Sequence, residues 1–247
     1  MVIELSIPQI LQGTFNLIFV LISFIVGLII LSKYFKYKKN HYIAIGIIWI
    51  GISTPWLHGA IAFLLLLLDI EMAQSIRFII AYAFIPLITA LWFNTFSDFM
   101  YQEKKKILVS IFSLLAIACE IIFFVFLFLD QEQLIGSFNY AEGKYFSATY
   151  KPFTRFTLLF FLISAFISFI IFASQSLKSA DAEVKLKGKF LIVAFVTYTA
   201  CAFIDSFAFF LQFPIVIVFI RIFLMLSAIE FYFGWILPDF IKTLFIK

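Results

Sequence analysis

Charge is scarce in this chain. Only 13% of its 247 residues are Asp, Glu, Lys or Arg, about half the share of an ordinary soluble domain. With 64% hydrophobic residues and a mean hydropathy of +1.12, such a sequence cannot clothe a water-facing globule and reads as an integral membrane protein. Cysteine is nearly absent: Cys119 and Cys201 both fall in apolar runs, so no disulfide framework is implied. Histidine is limited to His41 and His58, which leaves no convergent set of ligands for an intramembrane zinc hydrolase. Every lysine lies at the end of an apolar run or between runs, which excludes a retinal Schiff base within the membrane. Neither a GxSxG nucleophile nor a glycine-rich phosphate loop occurs. No metal, cofactor or catalytic constellation is expected, and an enzyme ranks last among the function classes.

What is abundant is length of apolar run. A helix needs about 20 residues to cross a bilayer, and the 37 phenylalanines fall in runs of that size. Seven are predicted, at about 8–32, 42–68, 74–98, 107–129, 154–177, 188–211 and 213–237, the last two separated by a tight LQFP corner at Pro214. The shorter alternating segments of an outer-membrane barrel are missing. The expected fold is an all-α, polytopic seven-helix bundle forming a single domain over residues 1–247.

Thirteen of the 18 basic residues fall in the breaks after the first, third and fifth helices and at the C-terminal end, among them Lys33, Lys104, Lys178 and Lys242. The positive-inside rule then puts the N-terminus outside and the C-terminus inside. The net charge of +4 follows from that topology and does not indicate nucleic-acid binding. The first helix reads as an uncleaved anchor, because MVIELS is acidic and the lysines come after the apolar run. The longest hydrophilic stretch, Asp130 to Arg155, is too short to fold alone. Its tyrosines are expected to rest at headgroup level, with a lid over the bundle as the alternative. Asp181 or Ser179 is a candidate cap before the sixth helix.

Small and polar residues repeat along the first helix at Gly13, Asn16, Val20, Ser23 and Gly27, and Ser164 and Ser168 are four apart on the fifth. Both read as packing seams, since close approach holds membrane helices together where apolar burial gives little drive.

The ionisable residues inside the runs are the informative ones, because an unpaired charge there costs about 2.5–3.5 kcal/mol on insertion scales. At 1.5 Å per residue, Arg221 lies about 12 Å below the outer end of its helix, Asp205 about 10 Å, and Glu120 and His58 about 15 Å. Asn16 lies at comparable depth, and Tyr198 shares the face of Asp205. The expectation is an outer-half pocket formed by Asp205, Arg221, Glu120, His58, Tyr198 and Asn16, with Arg221 and Asp205 as an ion pair; the alternative is a structural ion-pair network without a ligand. Glu230, nine residues beyond Arg221, projects from the opposite face and is expected to join Asn94 and Asp98 in an inner cluster. With polar groups on both faces, the seventh helix is expected to be surrounded.

The closing SAIEFYFGWILPDFIKTLF (227–245) on a seven-helix chain with its N-terminus outside resembles the seven-helix sensory region at the N-terminus of some histidine kinases. The phrase SLKSADAEVKLKGKFLIVAF (176–195) is similar to uncharacterised archaeal membrane proteins of that layout. The resemblance implies a sensor module, and as no kinase follows Lys247, one acting on a separate effector. FSDFMY stands where eukaryotic receptors carry a DRY-like motif, and NPxxY is missing. The function expected is a receptor or sensor in the cell membrane that takes a small apolar or amphipathic ligand and signals to a cytoplasmic partner protein. A small-solute or ion transporter and a structural subunit of a membrane complex are the alternatives.

Overall fold

The computed structural model describes residues 5–138, 145–146, 148–206 and 214–246. Its helices are α1 (Ile7–Tyr37), α2 (His41–Ile52), α3 (Thr54–Leu66), α4 (Gln74–Tyr82), α5 (Phe84–Met100), α6 (Lys105–Leu134), α7 (Pro152–Leu177), α8 (Ala182–Asp205), α9 (Pro214–Ile236) and α10 (Asp239–Phe245). A small antiparallel hairpin, β1 (Gly136–Phe138) with β2 (Ala148–Tyr150), lies between α6 and α7. Six helical segments are long and apolar enough to cross a membrane, and the bent pair α2–α3 makes a seventh if taken as one span. The chain is an all-α multi-pass bundle. The tyrosine at position 140 and residues 207–213, which hold the expected end of the sixth helix and all of the LQFP corner but Pro214, lie outside the described residues.

Breaks and caps follow from local chemistry. Asp181 caps α8, its side chain accepting from the Glu183 N–H at 2.8 Å. At Asp130 the backbone leaves the helical region (φ −156°, ψ 88°), and its side chain accepts from the Gln133 N–H at 3.0 Å. The apolar part of α6 therefore stops there and one capped turn follows.

Between α2 and α3, within the span expected at 42–68, the chain bends by 55° next to Pro55. Pro55 has no N–H to give the Gly51 carbonyl. The Thr54 hydroxyl donates to that carbonyl instead, at 2.8 Å, and the Ser53 hydroxyl donates to Ile50 O at 2.7 Å. Trp56 N–H turns back to Ser53 O, which releases the Ile52 carbonyl, and Tyr198 on α8 donates its hydroxyl to it at 2.7 Å. The bend is thus a fully bonded joint between two helices. Thr54→Val, which keeps the shape and deletes the hydroxyl, is expected to cost about 1–3 kcal/mol, because a buried carbonyl loses its donor; thermal unfolding in detergent measures it, and an unchanged midpoint counts against this account.

The bundle wraps around an aromatic core. α1 packs on α2, α3 and α9; α9 packs on α8; α8 on α7; and α5 bridges α2, α6 and α7. The seam predicted on α1 is buried, with Gly13, Asn16, Val20, Ser23 and Gly27 all facing neighbours. Trp49 stacks on Phe231 at 3.9 Å, Trp92 on Phe169 at 3.4 Å and Phe169 on Phe195 at 3.5 Å. The Trp92 indole N–H donates to Ser168 Oγ at 2.7 Å, and Ser168 in turn donates to Ser164 O, so the serine spacing on α7 serves packing.

α9 is not surrounded, as had been expected. Phe219, Ile222, Leu226 and Ile229 are exposed along it. A helix wedged between two neighbours, here α1 and α8, buries both flanks and still keeps a stripe toward lipid. After α9, Leu237 and Ile241 pack with Leu186 of α8, while Phe240, Leu244 and Phe245 of α10 are exposed. That division suits a short helix lying in the membrane interface. Lys242 pairs with Glu183 at the start of α8, a contact that raises the lysine's affinity for its proton.

Candidate functional site

The α2–α3 joint and the end of α8 converge at the hairpin end of the bundle. Arg221 on α9, 2% exposed, donates through Nη1 to Asp205 Oδ2 at 2.8 Å. The same carboxylate oxygen accepts from the Trp56 indole N–H at 2.6 Å. Trp56 reaches Asp205 because the bend swings α3 toward α8, and edge contacts with Phe19 and Tyr198 hold its ring. The ion pair expected from depth and connection length is present, with an indole as a third member.

Beside this triad is a cavity of about 140 Å³, comparable to one that accepts a benzene-sized molecule. Asn16, His58, Tyr198, Asp205 and Arg221 all line it. Ile52, Ile85, Leu158, Leu159 and Leu162 add apolar lining, with Thr89 among them. Four polar atoms on the lining are buried without a protein partner: Asn16 Oδ1, His58 Nδ1, Asp205 Oδ1 and Arg221 Nε. Buried polar atoms are almost always hydrogen-bonded, so this concentration marks the cavity as a place where a guest or water completes the bonding. Two of the atoms are acceptors, Arg221 Nε is a donor, and His58 Nδ1 serves as either according to its tautomer.

The hairpin roofs the cavity. Phe146, Ala148 and Tyr150 line it from above, with Arg155 at the start of α7. The Phe138 ring lies 4.8 Å from Phe78 and 5.2 Å from the His58 ring. The Arg77 guanidinium, fully buried, sits 3.7 Å over the Phe138 ring and donates to the Tyr145 carbonyl. Gln74 clamps the Phe138 backbone, accepting from its N–H at 3.2 Å and donating to its carbonyl at 3.4 Å. The described part of this segment packs on the bundle, in keeping with the alternative of a lid, since Ile135, Phe138 and Phe146 bury their side chains inward. Burial pushes the Tyr150 phenol up to about 12, so it faces the cavity as a neutral hydroxyl.

Two expected placements need correction. Glu120 does not line the cavity. It lies on α6 beside Cys119, within electrostatic reach of Tyr82, because α6 touches the bundle through a narrow strip at Ala116, Phe123 and Leu127 and packs mainly on α5. Matching depth put it in the same layer but not on the same side. The inner cluster does not assemble either. Asp98 is exposed and paired with Lys105 at 2.6 Å, Asn94 is on α5, and Glu230 is on α9, whose main neighbours are α1 and α8. Where α5 and α9 meet, the Phe99 and Trp235 rings are in contact.

Trp56, Arg77, Arg155 and Gln12 were missed as site residues. Arg77 had a legible signal, an arginine only three residues into a predicted span. Trp56 had none, since an indole in an apolar run reads as packing. Among the described residues no group of three or more His, Cys, Asp or Glu lies close enough to hold a metal ion. In comparisons with known proteins, the chain matches no family model, no curated protein and no solved structure.

Proposed function

We propose that this protein is a membrane receptor or sensor that binds a small amphipathic molecule in the cavity beneath the hairpin. The observation that carries the proposal is the set of four unpartnered polar atoms on the lining of a cavity that is otherwise largely apolar. A ligand with a polar head and a short apolar body satisfies both kinds of lining. Trp49 stacked on Phe231, Phe231 edge-on to Phe195 and Phe195 stacked on Phe169 form an aromatic cluster between α2, α7, α8 and α9, which favours a receptor over a transporter needing a continuous polar path.

In this reading the hairpin faces the outside, as the lysine distribution suggests, and the protein resides in the cell membrane. A ligand that displaces Arg221 or Trp56 shifts α9 or α3, and α9 carries the shift to α10 and to a separate cytoplasmic effector. The test is mass spectrometry of molecules retained after gentle purification of the wild type, Asp205→Asn and Leu159→Trp, the last adding bulk at the apolar lining. One compound held by the wild type and reduced at least about tenfold in both folded variants is expected. Equal retention by all three overturns the proposal, as does a wild type that retains nothing specific.

A further inference from the structure

A second site lies on the other side of the bundle, at the lysine-rich end. α6 leaves most of its length outside the core, and between it, α5 and α7 runs a groove of about 400 Å³. Its floor is aromatic: Phe93 and Phe112 stack at 3.4 Å, and Phe96 lies beside them. Its far wall is α7, where Ser164 leaves room between the helices and Ile167 and Ile171 continue the apolar lining. From Lys104 to Phe112 along α6, and from Ser164 to Ile171 along α7, the groove extends about 10–12 Å at 1.5 Å per residue. It is therefore long and narrow, open toward lipid, and suited to a chain more than to a compact ligand.

The groove ends at charge. Lys104 lines its mouth together with Tyr101, whose ring makes an edge contact with Phe96. Lys105 and Lys106 follow directly, against two acids in the same turn, Asp98 and Glu103. Asp98 is engaged by Lys105, and the turn keeps a net charge of +1 beside exposed Lys104 and Lys106. An apolar cleft running down from a basic turn with an interfacial tyrosine is complementary to one occupant, a lipid with an acyl chain and an anionic headgroup. We infer that the cleft between α5, α6 and α7 is a binding site for an anionic phospholipid, its acyl chain on Phe93 and Phe112 and its phosphate at Lys104. The lipid completes the packing that α6 lacks, and the site is independent of the cavity under the hairpin.

The experiment is native mass spectrometry of the full chain taken from vesicles of equal phosphatidylglycerol and phosphatidylcholine. The wild type is expected to retain phosphatidylglycerol at least about fivefold over phosphatidylcholine. Lys104→Ala, at an exposed position that leaves the helix contacts intact, is expected to lower that ratio about fivefold. Ser164→Phe, which fills the groove, is expected to reduce retention of both lipids. A wild type without headgroup preference, or a lysine variant that keeps the full preference, overturns the proposal. So does undiminished retention by a folded Ser164→Phe protein.

Discussion

Arg221→Ala is expected to lower stability by about 3–5 kcal/mol, the cost of removing one member of a buried ion pair and leaving the other charge uncompensated. The geometry puts this protein at the severe end. Arg221 is 2% exposed, its contact with Asp205 is 2.8 Å, and the stranded carboxylate keeps only the Trp56 indole as a donor. The loss is not the worth of the pair, since replacing both members removes the stranded charge as well. Arg221→Met combined with Asp205→Asn is accordingly expected to cost less than the sum of the single changes, with a coupling of at least about 1 kcal/mol. Unfolding of the four proteins in one detergent measures the cycle. Strict additivity contradicts the assignment of Asp205 as the partner that matters.

Gly46→Leu is expected to be at least as damaging, for a steric reason. A Cβ at Gly46 lies 2.6 Å from the Gly27 carbonyl oxygen, and a Cβ at Gly27 lies 2.9 Å from the Gly46 carbonyl oxygen. The two glycines let the backbones of α1 and α2 touch, so no side-chain rotation relieves a clash at either position. Overpacking usually costs about 1–3 kcal/mol, and backbone against backbone belongs at or above the upper figure. α1 and α2 must separate, which loosens the layer holding Trp49 against Phe231. Cys201, 6% exposed and packed in the same core, reports that loosening. In a Cys119→Ser background, thiol labelling of Gly46→Leu is expected to be at least about tenfold faster than in the Gly46 protein, and an unchanged rate argues against a glycine-mediated crossing.

These expectations separate what hydropathy carries from what packing adds. The membrane-crossing helices were legible because transfer into lipid is scored residue by residue along the chain, and thirty-residue stretches such as Ile7–Tyr37 leave no other reading. The Arg221–Asp205 pair was legible for a related reason. Depth follows from rise per residue, and a buried charge near the short connection between two helices has few places to find its opposite.

Rotation about each helix axis was not legible to the same degree. Glu120 does not line the cavity and Glu230 sits on a helix whose main neighbours are α1 and α8, because neighbours are chosen by fit among large aromatic rings. The lid was legible only as an alternative, for another reason: Ile135, Phe138 and Phe146 sit in a segment whose average is polar, and the contacts of Phe138 with Arg77, Phe78 and Gln74 turn it inward. The sequence alone determined that the chain crosses a membrane as a helical bundle and that charge is buried near one end of it. Tertiary structure decided that the α2–α3 bend brings Trp56 onto Asp205, that a hairpin closes over the result and that a cavity remains, because bends, rotations and covers depend on which surfaces meet, and hydropathy holds no term for that.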